Sequence, residues 1–342
     1  MKFMPKKYVL IAGVVIILAI VVKAFSFTPE LVSFSGPTMG TTYTVKFYTN
    51  EDMDSAWQYK DDVDRVLVRI NELMSTYDSQ SELSLFNQTS VNKEVRVSTE
   101  LAYVIDQALM ISKMSKGEYD ITVGPLVNLW GFGPGKKTDT VPSVDDIAIA
   151  KQKVGFSAIA LSEQTLSKAK DVYIDLSSIA KGYGVDAVAQ KLERLGIDSY
   201  LVEVGGEIVA KGTKPDGEPW RVAVESPNGG HSVAQKVVEL ADVAIATSGD
   251  YRNYFERDGV RYSHTINPKT GKPITHRLVS VTVIEKNATL ADGLATAITV
   301  LGPEKGLAFA EENGLAVYML VKENLGFVEQ YSKAFEPYLS VQ

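Results

Sequence analysis

Between residues 41 and 313 the chain alternates strand-like and helix-like runs with no long linker between them, and this interleaving constrains its fold most. Residues 41–47 alternate apolar and polar side chains and are rich in Tyr, Thr and Val, which suits a strand. Residues 61–74 place Val63, Val66, Leu67, Ile70, Leu73 and Met74 on a helical stripe. A second helix is expected over 101–116, stopped by Gly117. Residues 131–140, with their Gly and Pro, predict a loop. Further strands are expected at 200–204, 221–225, 243–247 and 279–284, and helices at 179–195, 290–301 and 304–313. Runs that alternate in this way cannot be shared out between separate helical and sheet units. The expectation is one compact α+β domain over 38–342. A chain of 342 residues is long enough to bury a substantial core.

The N-terminus points to a membrane. Lys2, Lys6 and Lys7 precede an uncharged stretch over 8–22 rich in Ile, Val, Leu and Ala, and Lys23 follows it. The stretch is short for a full span, since a bilayer core takes about 20 apolar residues. A cleaved signal peptide has the same form, with Val22-Lys23-Ala24 as its cleavage site. Of the two, an uncleaved anchor over 1–25 is the expectation, followed by a tether over 26–37. Positive charges stay cytoplasmic, which puts the body on the periplasmic side of the inner membrane. The chain has no cysteine, which excludes a lipid-modified cysteine, disulfides, thiolate zinc sites and cysteine nucleophiles. The net charge is -7, and nothing basic is concentrated enough to suggest a nucleic-acid surface.

The chemistry-bearing residues lie mostly in the second half. Asp292 and Thr296 are four apart on an expected helix, so both point to one face. A carboxylate and a hydroxyl are hard oxygen ligands. With ligand phosphates, a main-chain carbonyl and water they would complete an octahedral Mg²⁺ site. The same spacing fits an acid favoured by the helix dipole, with Thr296 simply packed. Asp175 closes a Val-Tyr-Ile run just before a helix start near Ser178 or Ile179. Main-chain N–H groups at such a start hold phosphate, and Lys181 adds positive charge. A helix capped by Ser177 or Ser178 is the alternative. His264, one of three histidines, sits in a polar turn ahead of Asn267-Pro268 and Thr270-Gly271. It suits general acid–base work, or a plain hydrogen bond. His231 and His276 carry no motif, and the three are not spaced as a zinc site. Gly205-Gly206 and Ser248-Gly249 read as turns or close main-chain approaches. Tyr77 is able to stack on a flat ring or to sit half-buried.

In order along the chain, the segments that carry a resemblance are Met39-Gly-Thr-Thr-Tyr43, Ser75-Thr-Tyr-Asp78, Ser81-Glu-Leu-Ser-Leu-Phe-Asn87, Tyr119-Asp-Ile-Thr-Val-Gly-Pro125, Leu129-Trp-Gly-Phe-Gly133, Asp175 to Gly184, Val204-Gly-Gly-Glu207, Ala246-Thr-Ser-Gly249 and Ala291-Asp-Gly-Leu-Ala-Thr-Ala297. The chain resembles the ApbE family of FAD:protein FMN transferases over nearly its whole body. The resemblance implies a T-fold-like α+β domain with mixed or antiparallel sheets and packed helices. It implies a reaction in which FAD is split at its pyrophosphate, FMN passes to a threonine hydroxyl as a phosphoester, AMP leaves, and Mg²⁺ is required. The implied acceptors are subunits of membrane redox complexes, such as NADH:quinone reductase and related electron-transport proteins, whose flavinylated domains face the periplasm. Asp292, Thr296 and the Ser178 carbonyl match the metal ligands. Met39, Tyr77, Glu118, Tyr119, Asp120, Asp175, Lys181 and Ile266 match FAD contacts. His264 matches the histidine that activates the acceptor hydroxyl. Asn267 stands where many relatives carry Asp, and Ala295 where some carry a second acid. Two other readings use the same residues. One is a Mg²⁺-dependent FAD pyrophosphatase, with water in place of threonine. The other is a non-catalytic periplasmic flavin-binding protein, which needs neither His264 nor the Asp292–Thr296 pair.

Overall fold

The computed structural model describes residues 29–50, 53–135, 140–225, 234–249, 254–323 and 326–339. The expected membrane segment over 1–25 lies outside them. Among the described residues no helix is long and apolar enough to cross a membrane.

An eight-stranded sheet organises the chain. Its strands are β1 (Glu30–Thr38), β2 (Thr41–Thr49), β3 (Tyr200–Val204), β4 (Glu207–Lys211), β5 (Val243–Gly249), β6 (Leu278–Glu285), β7 (Ala316–Glu323) and β8 (Gly326–Tyr331). Their order across the sheet is their order along the chain, and each neighbouring pair is antiparallel. The expected choice between mixed and antiparallel sheets is thus decided for antiparallel. Every long insertion leaves and returns between adjacent strands. Helices α1 (Met53–Met74), α2 (Thr99–Met114) and α3 (Ala180–Arg194) fall between β2 and β3. Helices α4 (Ala288–Leu301) and α5 (Pro303–Asn313) fall between β6 and β7.

Two cores follow from the pleat, which sends alternate side chains to opposite faces. On one face Val45, Phe47, Val202, Ala246, Val283 and Met319 pack under the helices with Leu67, Ile70, Val188 and Ile298. On the other, Ile245, Ile284, Tyr318 and Leu320 pack against Trp220, Val238 and Phe335. These come from a hairpin (Trp220–Glu225 with Ala234–Leu240) and the 3-10 turn Lys333–Tyr338. Strand β7 is buried on both sides, so it reads as a continuous apolar run with no alternation.

The helices that carry the expected site meet at their N-termini. A Cβ on Gly182 would lie 2.2 Å from the Ala288 carbonyl oxygen, so only glycine permits this approach of α3 to α4. Each helix then caps the other. Asp292 Oδ2 of α4 accepts from the Gly182 N–H at 3.0 Å. Asp186 of α3 accepts from the N–H groups of Ala288 and Thr289, both at 2.8 Å, and from the Thr289 hydroxyl. The first N–H groups of a helix have no partner inside it, and α3 has no cap from its own N-cap residue Ile179. The alternative of a Ser177 or Ser178 cap is not realised at the Gly182 N–H, which is capped by a carboxylate from another helix.

Two boundaries differ from expectation. Residues 30–37 of the expected tether belong to β1, whose Val32 is buried and whose register pairs Phe34 with Val45. Pro37 and Gly36 masked the strand, but β1 is an edge strand, where a missing N–H donor is tolerated. Helix α1 begins at Met53, well before the apolar stripe. Its added turns are held by Tyr59 against the ring of Phe47, at 5.1 Å between centroids, and by Lys60, which donates to the Tyr43 hydroxyl at 3.2 Å.

Substituting Gly182→Ala would force α3 and α4 apart. Overpacking of this kind costs about 1–3 kcal/mol. Thermal and urea denaturation should show the loss, and an unchanged midpoint would contradict the crossing.

Candidate active site

The site gathers on three pieces of main chain. The first is the loop from Asp175 into α3. Asp175 Oδ1 accepts from the Ser177 N–H at 2.8 Å, and the Asp175 N–H donates to Ile121 O at 2.7 Å. In a helix that continued backwards, the Gly182 N–H would close on the Ser178 carbonyl. It goes to Asp292 instead, and no main-chain N–H among the described residues donates to Ser178 O. A carbonyl is thereby left without a main-chain donor because a buried carboxylate has taken it. The Ser178 hydroxyl is held from behind by Tyr119, donating to its phenol oxygen at 2.9 Å. Burial pushes the Tyr119 phenol up, so it stays protonated.

The second piece is the crossing of α4 with the turn between β3 and β4. Lys181 Nζ lies 2.6 Å from Glu207 Oε1 and 3.8 Å from Asp292 Oδ1. The side chains of Glu207 and Asp292 are only 3% and 6% exposed, and that of Lys181 is 28% exposed. Burial pushes the Glu207 carboxyl up, with Lys181 pulling it down and Asp292 adding to the rise. Burial works against the Lys181 charge, but Asp292 and Glu207 together hold its ammonium above its ordinary value. Thr296 lies one turn beyond Asp292 on α4 and is half-buried.

The third piece is the loop after the hairpin Tyr254–Arg257 and Val260–Ser263. His264 follows it, half-buried, with its ring edge-on to Phe132 at 6.3 Å. Phe132 continues into Phe255 at 5.6 Å, and Phe255 stacks on Tyr262 at 5.0 Å. Tyr77 is 70% exposed, and its hydroxyl reaches Phe132 O at 3.5 Å. Burial and then the charge of Asp175 raise the Tyr77 phenol.

Segment 118–121 ties these pieces together. Glu118 accepts from the Asn267 amide and from Lys269 Nζ, both at 3.1 Å, Tyr119 holds Ser178, and Ile121 O holds Asp175. Asp120 is spent on its own loop and on the segment at Phe156. Its oxygens accept from Thr122 N at 2.8 Å, from Thr122 Oγ1 at 2.6 Å and from Phe156 N at 2.9 Å. Ile266 is 5% exposed and packs into a small core with Trp130 and Phe255, so it offers the site its main chain. Met39 sits in the β1–β2 turn at φ 49, with its sulfur against Gly184 of α3.

Sequence reasoning missed Glu207, Asp186 and Phe132 as parts of the site. Glu207 stood inside a motif read only for its glycines. The structure also accounts for Asn267. Its Oδ1 accepts from the N–H groups of Lys269 at 2.9 Å and Thr270 at 3.0 Å, and its NH₂ donates to Glu118. An aspartate would keep the turn but lose that donated bond.

This geometry, an α+β sheet with an acid-lined helix crossing beside an aromatic shelf and a loop histidine, has clear relatives. The model of the ApbE family matches residues 39–319. The FAD:protein FMN transferase of Vibrio cholerae is 48% identical over 91% of this chain and 93% of its own length. That of Haemophilus influenzae is 44% identical over 96% and 97%. The solved flavin transferase ApbE from Vibrio cholerae superposes with a TM-score of 0.84 at 46% identity, covering 91% of this chain and all of that one. The apo flavinyl transferase ApbE of Pseudomonas stutzeri gives 0.85 at 45% identity, with 92% and 98% covered. The chain belongs to the ApbE family, and it is a transferase.

Asn267→Asp should place a carboxylate against Glu118. Losing the donated hydrogen bond costs about 1 kcal/mol, and like-charge repulsion adds to it. Repulsion raises the folded-state pKa of the pair, so the deficit is absent at pH 3 and grows as pH rises through that raised value. Denaturation at pH 3 and pH 7 should show a gap to the parent only at pH 7.

Proposed function

We propose that the protein transfers FMN from FAD to a threonine hydroxyl of an acceptor protein, releasing AMP, with Mg²⁺ held by Asp292, Thr296 and the Ser178 carbonyl. The observation that carries this reading is the Ser178 carbonyl, freed because the buried Asp292 carboxylate takes the Gly182 N–H, in a chain of the ApbE family. The donors are a carboxylate, a hydroxyl and a carbonyl, all hard oxygens, and they suit Mg²⁺ better than a softer ion. Bound there, Mg²⁺ would neutralise the pyrophosphate and stabilise the departing AMP.

The chain's own residues account for the rest. Lys181 is the cation of its cluster and sets a positive charge against the pyrophosphate. Tyr77 presents an exposed ring for stacking. His264 accepts the proton of the threonine hydroxyl. The threonine oxygen forms a bond to the FMN phosphorus as the bond from that phosphorus to the bridging oxygen breaks, and AMP departs with the electron pair. Such transfers depend on positioning and charge neutralisation, which a site fixed by helix packing supplies. Phe132 limits the ring of His264 from one side.

The acceptor is a subunit of a membrane redox complex of the NADH:quinone reductase kind, and the body works on the periplasmic side of the inner membrane, held by its N-terminal segment. The support is the basic cluster and apolar run of residues 2–23. Fractionation should find the protein in the membrane, protease-sensitive only once the outer membrane is opened; cytosolic protein would overturn the placement.

The reaction is tested with FAD, Mg²⁺ and an acceptor domain, reading acceptor mass. Asp292→Ala should lower transfer on the order of 10²–10³-fold. His264→Ala should lower it roughly 10²–10⁴-fold while FAD affinity is kept. Free FMN with no mass added to the acceptor would favour hydrolysis instead.

A further inference from the structure

We propose that Glu207 is a positioning residue, which holds the Lys181 ammonium off Asp292 and so keeps that carboxylate open to a divalent cation. The inference rests on the metal reading above. Asp292 has two oxygens. Oδ2 already accepts from the Gly182 N–H, so Oδ1 is the more open of the two to a cation. The nearest competitor for Oδ1 is Lys181, whose Nζ stands 3.8 Å away, beyond hydrogen-bond reach, because it is drawn to Glu207 at 2.6 Å. A lysine stem is flexible, and its ammonium goes to the strongest nearby anion.

The turn before Glu207 is built for this contact. Gly205 and Gly206 have φ of 61° and 106°, and a Cβ on Gly205 would press on Lys181 Cδ at 3.1 Å. The turn therefore leaves a channel for the lysine stem and delivers Glu207 at the first residue of β4. Glu207 Oε2 is buried with no hydrogen-bond partner among the described residues. Leaving a buried carboxylate oxygen unsatisfied is costly, and a residue kept only for packing gains nothing from it. The contact with Lys181 is what Glu207 obtains in return. Without the charge of Glu207, Lys181 closes the gap to Asp292 Oδ1, each carboxylate oxygen then carries a donor, and the ammonium stands where a divalent cation would bind.

The test is Mn²⁺ binding to the full chain without FAD, read from the free Mn²⁺ signal in electron paramagnetic resonance. Asp292→Ala examines the metal reading itself: if it binds Mn²⁺ as the parent does, that reading fails and this inference with it. If only the parent binds, Glu207 is tested alone. Glu207→Gln should raise the Mn²⁺ dissociation constant roughly 10–100-fold, the range for a lost partner of a metal ligand. Adding Lys181→Met to Glu207→Gln should restore binding, because the competitor for Asp292 is gone. An unchanged constant in Glu207→Gln, or a loss that Lys181→Met does not reverse, overturns the proposal. Should Glu207→Gln fold poorly, Lys181→Met alone decides: it should bind Mn²⁺ at least as tightly as the parent, and weaker binding overturns the proposal.

Discussion

Two helices start at the same place in this molecule, and neither start is satisfied by its own residues alone. The Gly182 N–H of α3 is capped by Asp292 of α4, and the Ala288 and Thr289 N–H groups of α4 are capped by Asp186 of α3. Asn287 adds a cap within its own chain segment, donated to by the Leu290 N–H. The exchange is possible only because Gly182 lets the helices touch. One consequence is local: turning the Gly182 N–H toward Asp292 releases the Ser178 carbonyl. Another is positional. Asp292 is placed by the packing of two helices on a sheet, which tolerates less drift than a loop would.

The electrostatics follow from that placement. Asp292 and Glu207 are both withdrawn from water with one ammonium between them, so the cluster holds an excess of acid. Buried like charges are costly unless something positive compensates them, and a cation at Asp292 would do so. Lys168 shows the contrasting solution. It is almost fully buried and donates to the carbonyls of Asn87 at 2.8 Å and Val172 at 3.2 Å. Burial pushes its pKa down. With the two bonds between the Asn87 side chain and the Ile174 main chain, both 2.8 Å, it fixes the segment that leads to Asp175. One buried lysine braces the approach to the site and the other faces into it.

The sheet explains how distant parts of the chain come to share that site. Strand order equals chain order, so each excursion returns to the edge of the strand it left. The segments 118–121, 175–184, 264–267 and 288–296 belong to three different excursions. They are joined by polar contacts from residues 118–121 and by the helix crossing, not by neighbourhood in sequence.

Much of the scaffold is legible in the sequence because it depends on local periodicity. Helices over 179–195, 290–301 and 304–313 and the strand over 200–204 announce themselves by spacing, and the structure finds them within two residues. Family resemblance singles out Asp292, Lys181 and His264 by motif. The strand β1 is hidden because Pro37 and Gly36 look like loop residues until an edge position makes them acceptable. The three-stranded ladder of Val95–Arg96, Ile159–Ser162 and Thr165–Lys168 is too short to show a period. What the sequence by itself determined is which residue types stand on which face of each element, since that needs only 3.6- and 2-residue repeats. What the tertiary structure alone decided is which residue each of them meets. Gly182 facing Ala288, Asp292 as the cap of another helix, and Glu207 drawing Lys181 aside are pairings between residues 106, 110 and 26 positions apart, and no local pattern encodes a partner that arrives only when the helices pack.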